Sequence, residues 1–226
     1  MKLVKAKGQM YDWVTHMWNP IIGCSHQCSY CYVKHFREQP AALKLCKPFP
    51  KLGHGKKIFV GHLTDLFAND VPDKWIISVL ETCKNYDNEY IFQTKNPSRA
   101  MFYHPHFPDK ILFGTTIETN NYEMLKDIST APSVYNRASY LRLLKDTYEI
   151  KTFLTIEPIM DFMLGNMIYL IQLAHPDFIN IGADSKGHNL PEPSKEKVKA
   201  LIAGINKLGI EIREKTNLER LKISGK

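Results

Sequence analysis

The sequence predicts an α/β fold, an incomplete (β/α) TIM-like barrel of six to seven parallel strands. Short runs rich in β-branched and aromatic residues alternate with longer segments of helical periodicity, as in strand–helix–strand units. Most of the short runs are continuously apolar, which is typical of parallel strands covered on both faces. A complete eight-unit barrel needs about 250 residues, more than the 226 of this chain. A flavodoxin-like open sheet is the alternative.

The strand predictions fall on seven runs, which are residues 12–18, 57–62, 90–94, 111–118, 152–157, 178–182 and 210–213. The helix predictions fall on residues 72–86, 134–148, 162–174 and 194–208. Pro72 suits the first turn of a helix, and Gly209 suits the end of the last one. A further helix is expected from residue 28 to residue 37, after a loop that contains three cysteines.

Length and composition favour a single domain over residues 1–226, with a core from about residue 11 to residue 217 between a short basic N-terminus and a C-terminal tail. No run of about 18 apolar residues is present, so we expect no membrane partner. The N-terminus lacks the apolar segment of a secretory signal, so we expect a cytoplasmic protein. In that reducing compartment the five cysteines are expected to be metal ligands or free thiols. The sequence predicts no particular oligomeric state.

The charge of the chain is positive. The formal net charge is +7 and the isoelectric point is near 9.0. An excess of basic over acidic residues favours a nucleic acid or another anionic partner. The lysines are scattered, however, and a group such as Lys195, Lys197 and Lys199 is also explained as the exposed face of a helix.

Cys24, Cys28 and Cys31 have the spacing C-x3-C-x2-C on a loop after the first predicted strand, where Pro20 and Gly23 interrupt regular structure. Three thiolates on one loop can converge on one metal centre, and thiolates are the ligands of iron–sulfur clusters. A cubane has four irons, so three cysteines leave one iron open to an exogenous ligand. The spacing therefore predicts a [4Fe–4S] cluster with one open iron.

Structural zinc is the alternative for the same cysteines, with His16, His26 or His35 as the fourth ligand. Structural zinc usually uses two paired cysteine knuckles, and only one is present. Two further cysteines lie outside the motif. We expect Cys83 to pack within a helix and Cys46 to be a free thiol, although either of them is also a conceivable ligand of a second centre.

Polar residues follow nearly every predicted strand. They are His62, Thr64 and Asp65; Thr94, Lys95 and Asn96; Glu118, Thr119 and Asn120; Glu157; Asp184; and Lys215 and Asn217. Any one of them is explained by a cap or a turn. The carboxyl ends of parallel strands form the active-site rim of α/β folds, so the recurrence indicates a site there.

The cysteine motif, with Tyr30 directly before its last cysteine, resembles the signature of the radical S-adenosylmethionine (SAM) superfamily. Further segments resemble a phage-associated branch of unknown function and, more distantly, the spore photoproduct lyases. These segments are residues 18–24, 64–72, 93–97, 114–118 and 155–158. The resemblance covers about residues 11–217. Where that branch often has Gly-Gly-Glu-Ser, this chain has Gly182-Ala183-Asp184-Ser185, so the resemblance does not transfer a substrate.

The resemblance implies cofactor roles. Cys24, Cys28 and Cys31 would ligate the cluster, and the amino and carboxylate groups of SAM would chelate the fourth iron. The other implied contacts are the turn of Gly61, His62, Thr64 and Asp65 for the methionyl amino group; Lys95 for the carboxylate or the substrate; Thr116 and Glu118 for the ribose; and Tyr30, Ile181 and Gly182 for the adenine.

The implied reaction is reductive cleavage of SAM to a 5′-deoxyadenosyl radical, which abstracts hydrogen from the substrate. An electron donor such as flavodoxin or ferredoxin would reduce the cluster. The implied reaction does not assign the catalytic residues, for which the candidates are Lys95, Glu157, Asp184 and Lys215. Positive charge and the resemblance favour modification or repair of a nucleic acid or nucleotide. The alternatives are a radical SAM enzyme that acts on a peptide or protein, and a non-catalytic binding protein stabilised by its metal.

Overall fold

The structure is a computed structural model that describes residues 2–8, 10–35 and 42–222. Its strands are β1 (Val4–Lys5), β2 (His16–Trp18), β3 (Ile21–Ile22), β4 (Lys44–Leu45), β5 (Lys57–Val60), β6 (Glu89–Gln93), β7 (Ile111–Thr116), β8 (Lys151–Ile156), β9 (Phe178–Ile181) and β10 (Glu211–Glu214). Its α-helices are α1 (Asp73–Lys84), α2 (Pro97–Ala100), α3 (Tyr122–Ile128), α4 (Val134–Tyr148), α5 (Leu164–Ala174), α6 (Lys195–Lys207) and α7 (Glu219–Lys222). The 3₁₀-helices are Tyr32–His35, Met101–His106 and Thr216–Leu218.

The main sheet has the order β1-β2-β5-β6-β7-β8-β9-β10. From β2 onward all neighbours are parallel, and β1 is antiparallel to β2. Each crossover therefore moves one strand further in the same direction, whereas a flavodoxin-like sheet reverses its order at a switch point. Within the described residues the two edge strands do not pair with each other. The predicted incomplete barrel is confirmed.

The four long predicted helices are confirmed, each within two residues of its predicted ends. The helix predicted from residue 28 is wrong over the described residues, since a 3₁₀-helix begins only at Tyr32. The amide of Cys31 donates to the carbonyl of Cys28, and that of Lys34 donates to the carbonyl of Cys31, so the hydrogen bonds span three residues and not four. Residues 36 and 37 of that prediction lie outside the described ranges.

Successive residues of the strands point to opposite faces of the sheet. The outer face packs against the helices in the main core, for example through Ile58, Phe92 and Leu154. The inner face carries a separate apolar cluster near the amino ends of the strands. Its buried members are Val14, Phe59, Ile91, Leu112, Phe153 and Phe178. Tyr11 and Trp13 stack on each other at 5.1 Å and place their edges against Phe153, so the N-terminal segment closes this end of the barrel.

Gly114 lies on the inner face of β7, where a Cβ atom would lie 2.3 Å from Cζ of Phe153. We expect Gly114→Ala to destabilise the protein by about 1–3 kcal/mol, because the buried Phe153 ring cannot move without disturbing its neighbours. The matched control is Gly165→Ala in α5, where a Cβ meets nothing within 4 Å. Alanine favours helix, so this change is neutral or stabilises by up to about 1 kcal/mol. Urea unfolding measures both variants, and equal stabilities would contradict the prediction.

None of the helices in the described ranges combines the length and the apolar composition that a membrane span requires.

Candidate functional site

The inner face of the barrel changes from apolar to polar to charged along the strands. The first layer is the apolar cluster around Phe153. Two residues further along each strand come Gln93 on β6, Thr155 on β8 and Asn180 on β9. The layer beyond them holds the charged residues Lys95, Glu118, Glu157 and Lys215. The charged layer lies at the carboxyl ends of the strands, the end at which the polar residues of the sequence predict a site.

The cysteine loop lies at this end of the barrel. It leaves β3 at Gly23, whose φ of 92° is in the region that favours glycine. The Thr64 hydroxyl donates to the Gly23 carbonyl and so fixes the start of the loop. Cys28 is buried and its Sγ lies 3.3 Å from Oγ of Ser129, whereas Cys24 and Cys31 are partly exposed.

The turn after β5 braces the cysteine loop. Its Gly61 has φ 82°, and the Gly61 amide donates to the Trp18 carbonyl at 2.7 Å. Nδ1 of His62 lies 2.9 Å from the Asn19 amide nitrogen, and the Tyr32 hydroxyl donates to the His62 carbonyl. The turn is therefore tied both to the end of β2 and to the segment that follows the cysteines.

Asp65, the last residue of this turn, forms contacts through both of its carboxylate oxygens. Its Oδ2 lies 2.8 Å from Nε2 of His26, a residue that lies between Cys24 and Cys28 in the sequence. The same oxygen accepts a hydrogen bond from the Lys95 backbone amide at 2.8 Å. Its Oδ1 accepts the Thr94 hydroxyl at 2.6 Å and the Phe67 amide at 3.0 Å. Burial alone would raise the pKa of Asp65, but His26 and these hydrogen bonds outweigh it and lower the pKa to about 2. The carboxylate is thus fully engaged within the protein, as a positioning group for the loop.

Glu118 is the centre of a second buried network. Tyr30 donates to its Oε1 at 2.6 Å, Lys95 Nζ lies 3.2 Å from the same oxygen, and Arg137 donates to Oε2 at 2.9 Å. Burial would raise the pKa of Glu118, but Lys95 and Arg137 outweigh it and lower the pKa to about 2. Thr116, the other predicted ribose contact, accepts a hydrogen bond from Gln93 at 3.0 Å. The structure therefore brings together Tyr30, Lys95 and Glu118, which the sequence predicted as separate cofactor contacts.

The protonation and arrangement of the thiols bear on whether they fit a metal centre. Burial, followed by the neighbouring Asp65, raises the pKa of Cys24 to about 12, so metal binding must displace a proton from this thiol. Among the described residues, no three His, Cys, Asp or Glu side chains converge as the ligands of a single metal ion do. Three thiols are a donor set that fits a [4Fe–4S] cluster, because thiolates are its protein ligands and a cubane binds each of them through a different iron.

Glu157 and Lys215, predicted separately, form an ion pair in which Lys215 Nζ lies 2.9 Å from Oε2 of Glu157. Gly182 leaves the room for it, because a Cβ there would lie 2.9 Å from Cδ of Glu157. The backbone of Gly182 is used inside the sheet, since its amide donates to Ile156 and its carbonyl accepts the amide of Ile159. The Ile181 carbonyl likewise accepts the amide of Lys215. The backbone of Ile181 and Gly182 therefore offers a ligand mainly van der Waals contact, because these polar atoms already have hydrogen-bond partners within the protein.

Asp184 lies apart from that pair. Its Oδ1 lies 2.7 Å from Nδ1 of His188 and accepts the amide of Lys186 at 3.0 Å. Burial would raise the pKa of Asp184, but these partners outweigh it and lower the pKa. Nε2 of His188 lies 3.3 Å from Nε2 of His35, so Asp184 connects to the segment after the cysteines and not to Glu157.

Sequence reasoning missed four residues of the site, Tyr11, Gln93, Thr155 and Arg137. The Tyr11 hydroxyl lies 2.9 Å from Oε1 of Gln93 and 2.8 Å from Oγ1 of Thr155, so it joins three distant segments. No local pattern signals such a contact. Arg137 did carry a signal, because it lies three residues after Val134 on the apolar face of α4 and is 1% exposed.

Comparison with known proteins identifies related folds. A family model described as "Protein of unknown function (DUF5131)" matches residues 37–204. No curated protein matches the chain. Two spore photoproduct lyase structures, one complexed with dinucleoside spore photoproduct and one a variant that also holds AdoMet, are 11% and 14% identical, with TM-scores of 0.60 and 0.59. Both alignments cover 88% of this chain and 63% of the lyase.

Streptococcus suis SuiB bound to S-adenosylmethionine is similar in structure, at 10% identity and a TM-score of 0.59, over 88% of this chain and 49% of SuiB. A second SuiB structure is bound to its precursor peptide SuiA. Both proteins are radical SAM enzymes. At these identities the likeness shows the fold, and this chain spans about half to two thirds of their length.

Proposed function

The chain belongs to the DUF5131 family of proteins of unknown function, and we propose that it is a radical SAM enzyme that modifies or repairs a nucleic acid or nucleotide. One observation carries the proposal. The loop of Cys24, Cys28 and Cys31 lies at the carboxyl end of an incomplete parallel barrel, beside the network of Lys95 and Glu118. The similarity in fold to enzymes whose structures hold SAM supports the same cofactor here.

In this proposal the three cysteines hold a [4Fe–4S] cluster. Such a cluster, once reduced by a donor such as flavodoxin or ferredoxin, would supply the electron for cleavage of SAM to methionine and the 5′-deoxyadenosyl radical. The protein contributes position and charge. The backbone of the Gly61–Asp65 turn would hold the methionyl amino group, and Lys95 would pair with the carboxylate.

The network around Glu118 orients these contacts. Glu118 holds Lys95 and Tyr30, and Arg137 compensates the charge of Glu118, so the ammonium group of Lys95 is fixed at the mouth of the barrel. Burial would lower the pKa of Lys95, but Glu118 raises it, so this lysine is a stable cation. A fixed cation of this kind suits an anionic carboxylate better than a mobile surface lysine does.

The net charge of +7 favours a nucleic acid or nucleotide as the substrate. The likeness to spore photoproduct lyase, whose structure holds a dinucleoside, supports the same choice. The likeness to SuiB, whose structure holds a precursor peptide, keeps a peptide as the second candidate. Salt-dependent binding of an oligonucleotide separates the two, because phosphate contacts weaken steeply as salt rises.

We expect the full chain, reconstituted anaerobically with iron and sulfide and reduced with dithionite, to convert SAM to 5′-deoxyadenosine. The variant Cys24→Ala/Cys28→Ala/Cys31→Ala is expected to lose the bound iron, the brown colour and the product together. Chromatography of the product and iron analysis measure the result.

The matched control is Cys46→Ala, which removes a thiol outside the motif. It is expected to keep both iron and product. A wild-type protein that holds the cluster and yet makes no 5′-deoxyadenosine would overturn the proposal. A colourless protein that binds one zinc per chain would support the metal-stabilised binding protein instead.

A further inference from the structure

The barrel mouth contains two ion pairs with different surroundings. Lys95 and Glu118 lie on the side of the cysteine loop, and the network of Tyr30 and Arg137 encloses them. Glu157 and Lys215 follow β8 and β10, further along the sheet, and each side chain retains some exposure, at 18% and 15%. The first pair is proposed above to serve the cofactor, which leaves the second without a role.

Asn180 lies one inner layer below the second pair. In the sheet it is paired with Thr155 on β8 and Arg213 on β10, the residues two positions before Glu157 and Lys215. Among the described residues, the buried side-chain nitrogen of Asn180 has no hydrogen-bond partner, and the residue is 1% exposed. A buried donor without a partner costs free energy, so such a group on the inner face of the barrel indicates a ligand or water that completes its hydrogen bonding.

Tyr11 forms the floor beneath these groups. Its hydroxyl bridges Gln93 and Thr155, and Lys215 Nζ lies 5.4 Å from the centre of its ring. Burial, followed by the charge of Glu157, raises the pKa of Tyr11, so the hydroxyl remains a neutral donor. The floor is therefore polar without being charged.

We propose that Glu157, Lys215 and Asn180 form a substrate-recognition site that binds the hydrogen-bonding edge of a nucleobase. The pair has no net charge, so it does not select an anion such as phosphate. It does offer a carboxylate acceptor beside an ammonium donor, and Asn180 adds an amide donor. The Watson–Crick edge of every nucleobase presents adjacent donors and acceptors, which this combination complements. The inference rests on the proposed function and names the part of the substrate that enters the barrel.

A peptide amide also presents one donor and one acceptor. The positive charge of the chain favours the nucleobase, since the phosphates of a nucleic acid would contact basic groups outside while one base enters the mouth. Enzymes that act on a base extrude it into a pocket that reads its edge. Peptide binding at this site is therefore an outcome that the test must be able to detect.

The test measures binding of a fluorescein-labelled single-stranded oligonucleotide, and of the same strand with abasic sugars, to the reconstituted full chain. Wild type is expected to bind the strand with bases more tightly than the abasic strand. Glu157→Gln, Lys215→Met and Asn180→Ala are each expected to weaken binding of the strand with bases about tenfold or more and to change abasic binding little. Asn180→Ala removes a side-chain nitrogen that has no partner among the described residues, so we expect this variant to fold. It can therefore still test the inference if the ion-pair variants unfold.

Glu89→Gln and Lys57→Met are the matched controls. These residues form an ion pair of 3.2 Å between neighbouring strands at the opposite end of the barrel, and their variants should bind both strands like wild type. Equal wild-type affinities for the two strands, or no binding of either, would overturn the inference. A mixed-sequence peptide that binds wild type but not Glu157→Gln would overturn the choice of nucleobase. A wild-type protein that makes no 5′-deoxyadenosine would instead overturn the proposed function, so the two failures are distinguishable.

Discussion

Glu118→Gln is expected to destabilise the protein by about 3–5 kcal/mol, the cost of breaking a buried ion pair by removing one partner. Glu118 is fully buried, and the side chain of Arg137 is 2% exposed, so the guanidinium would remain buried without a counter-charge. The glutamine amide would also turn a donor toward either Arg137 or Lys95, which are themselves donors. Because whole domains have only about 5–15 kcal/mol of stability, urea unfolding of the cluster-free protein should show the loss clearly.

Two further variants test the cause of that loss. Glu123→Gln removes a carboxylate that pairs with Lys126 at 3.2 Å on the surface, and it should cost less than about 1 kcal/mol. Glu118→Gln/Arg137→Met removes the orphaned cation as well, so part of the stability should return. A Glu118→Gln protein as stable as the Glu123→Gln protein would contradict the assignment of a buried pair.

The same carboxylate makes stability depend on pH. The pKa of Glu118 is lowered from 4.5 to about 2, because its cationic partners outweigh the effect of burial. A lowered pKa in the folded state means that the contribution is complete above about pH 4.5 and is lost as the pH falls through about 2. The difference in unfolding free energy between wild type and Glu118→Gln should therefore shrink as the pH falls across this interval.

The sequence was sufficient to predict the barrel because most of its strands are short, continuously apolar runs separated by segments of helical periodicity. The two-residue strands β1, β3 and β4 were missed, since two residues carry no periodicity. The short helix α3 was missed as well, although Asn121 caps it by accepting the amides of Glu123 and Met124. None of its residues is buried, so it lacks the apolar stripe that would reveal it.

The end of the barrel at which the polar residues lie was predictable from the sequence, but the contacts among them were not. Polar residues after the strands indicated the carboxyl end of the barrel, and the charged layer lies there. The contacts among these residues depend on the register of the strands and on the room that neighbouring residues leave for the side chains. Gly182 bears on one case, because a Cβ there would lie 2.9 Å from Cδ of Glu157 and would shift that carboxylate from its present position beside Lys215. Asp184, two residues later, instead contacts His188, which a local turn brings to it.

Asp65→Asn is expected to lower the iron content of the reconstituted protein severalfold and to destabilise the cluster-free chain by about 2–3 kcal/mol. Asp65 is 6% exposed and accepts hydrogen bonds on both oxygens. In asparagine one oxygen becomes an NH2 group. If that group takes the place of Oδ2, it faces the Lys95 amide, which also donates, and the amide is left without an acceptor.

The effect on iron follows from the place of His26. It lies within the cysteine motif, and its 2.8 Å contact with Asp65 joins the loop to the ends of β5 and β6. Loss of a charged acceptor weakens that contact, so Cys24 and Cys28 are no longer held in one arrangement before the metal binds. Ligands that must be ordered during binding lose affinity by the free energy that this ordering costs.

Asp70→Asn is the matched control, because Asp70 also touches the loop, through the Ser25 hydroxyl at 2.5 Å, but it does so on the surface. It should keep wild-type iron content and change stability by less than about 0.5 kcal/mol. Iron and sulfide analysis after desalting, together with urea unfolding, measures both variants. Equal iron in the two variants would mean that the loop is held without Asp65. A loss of iron with no loss of stability would assign Asp65 to direct contact with the metal centre, since a purely positioning role requires the two effects together.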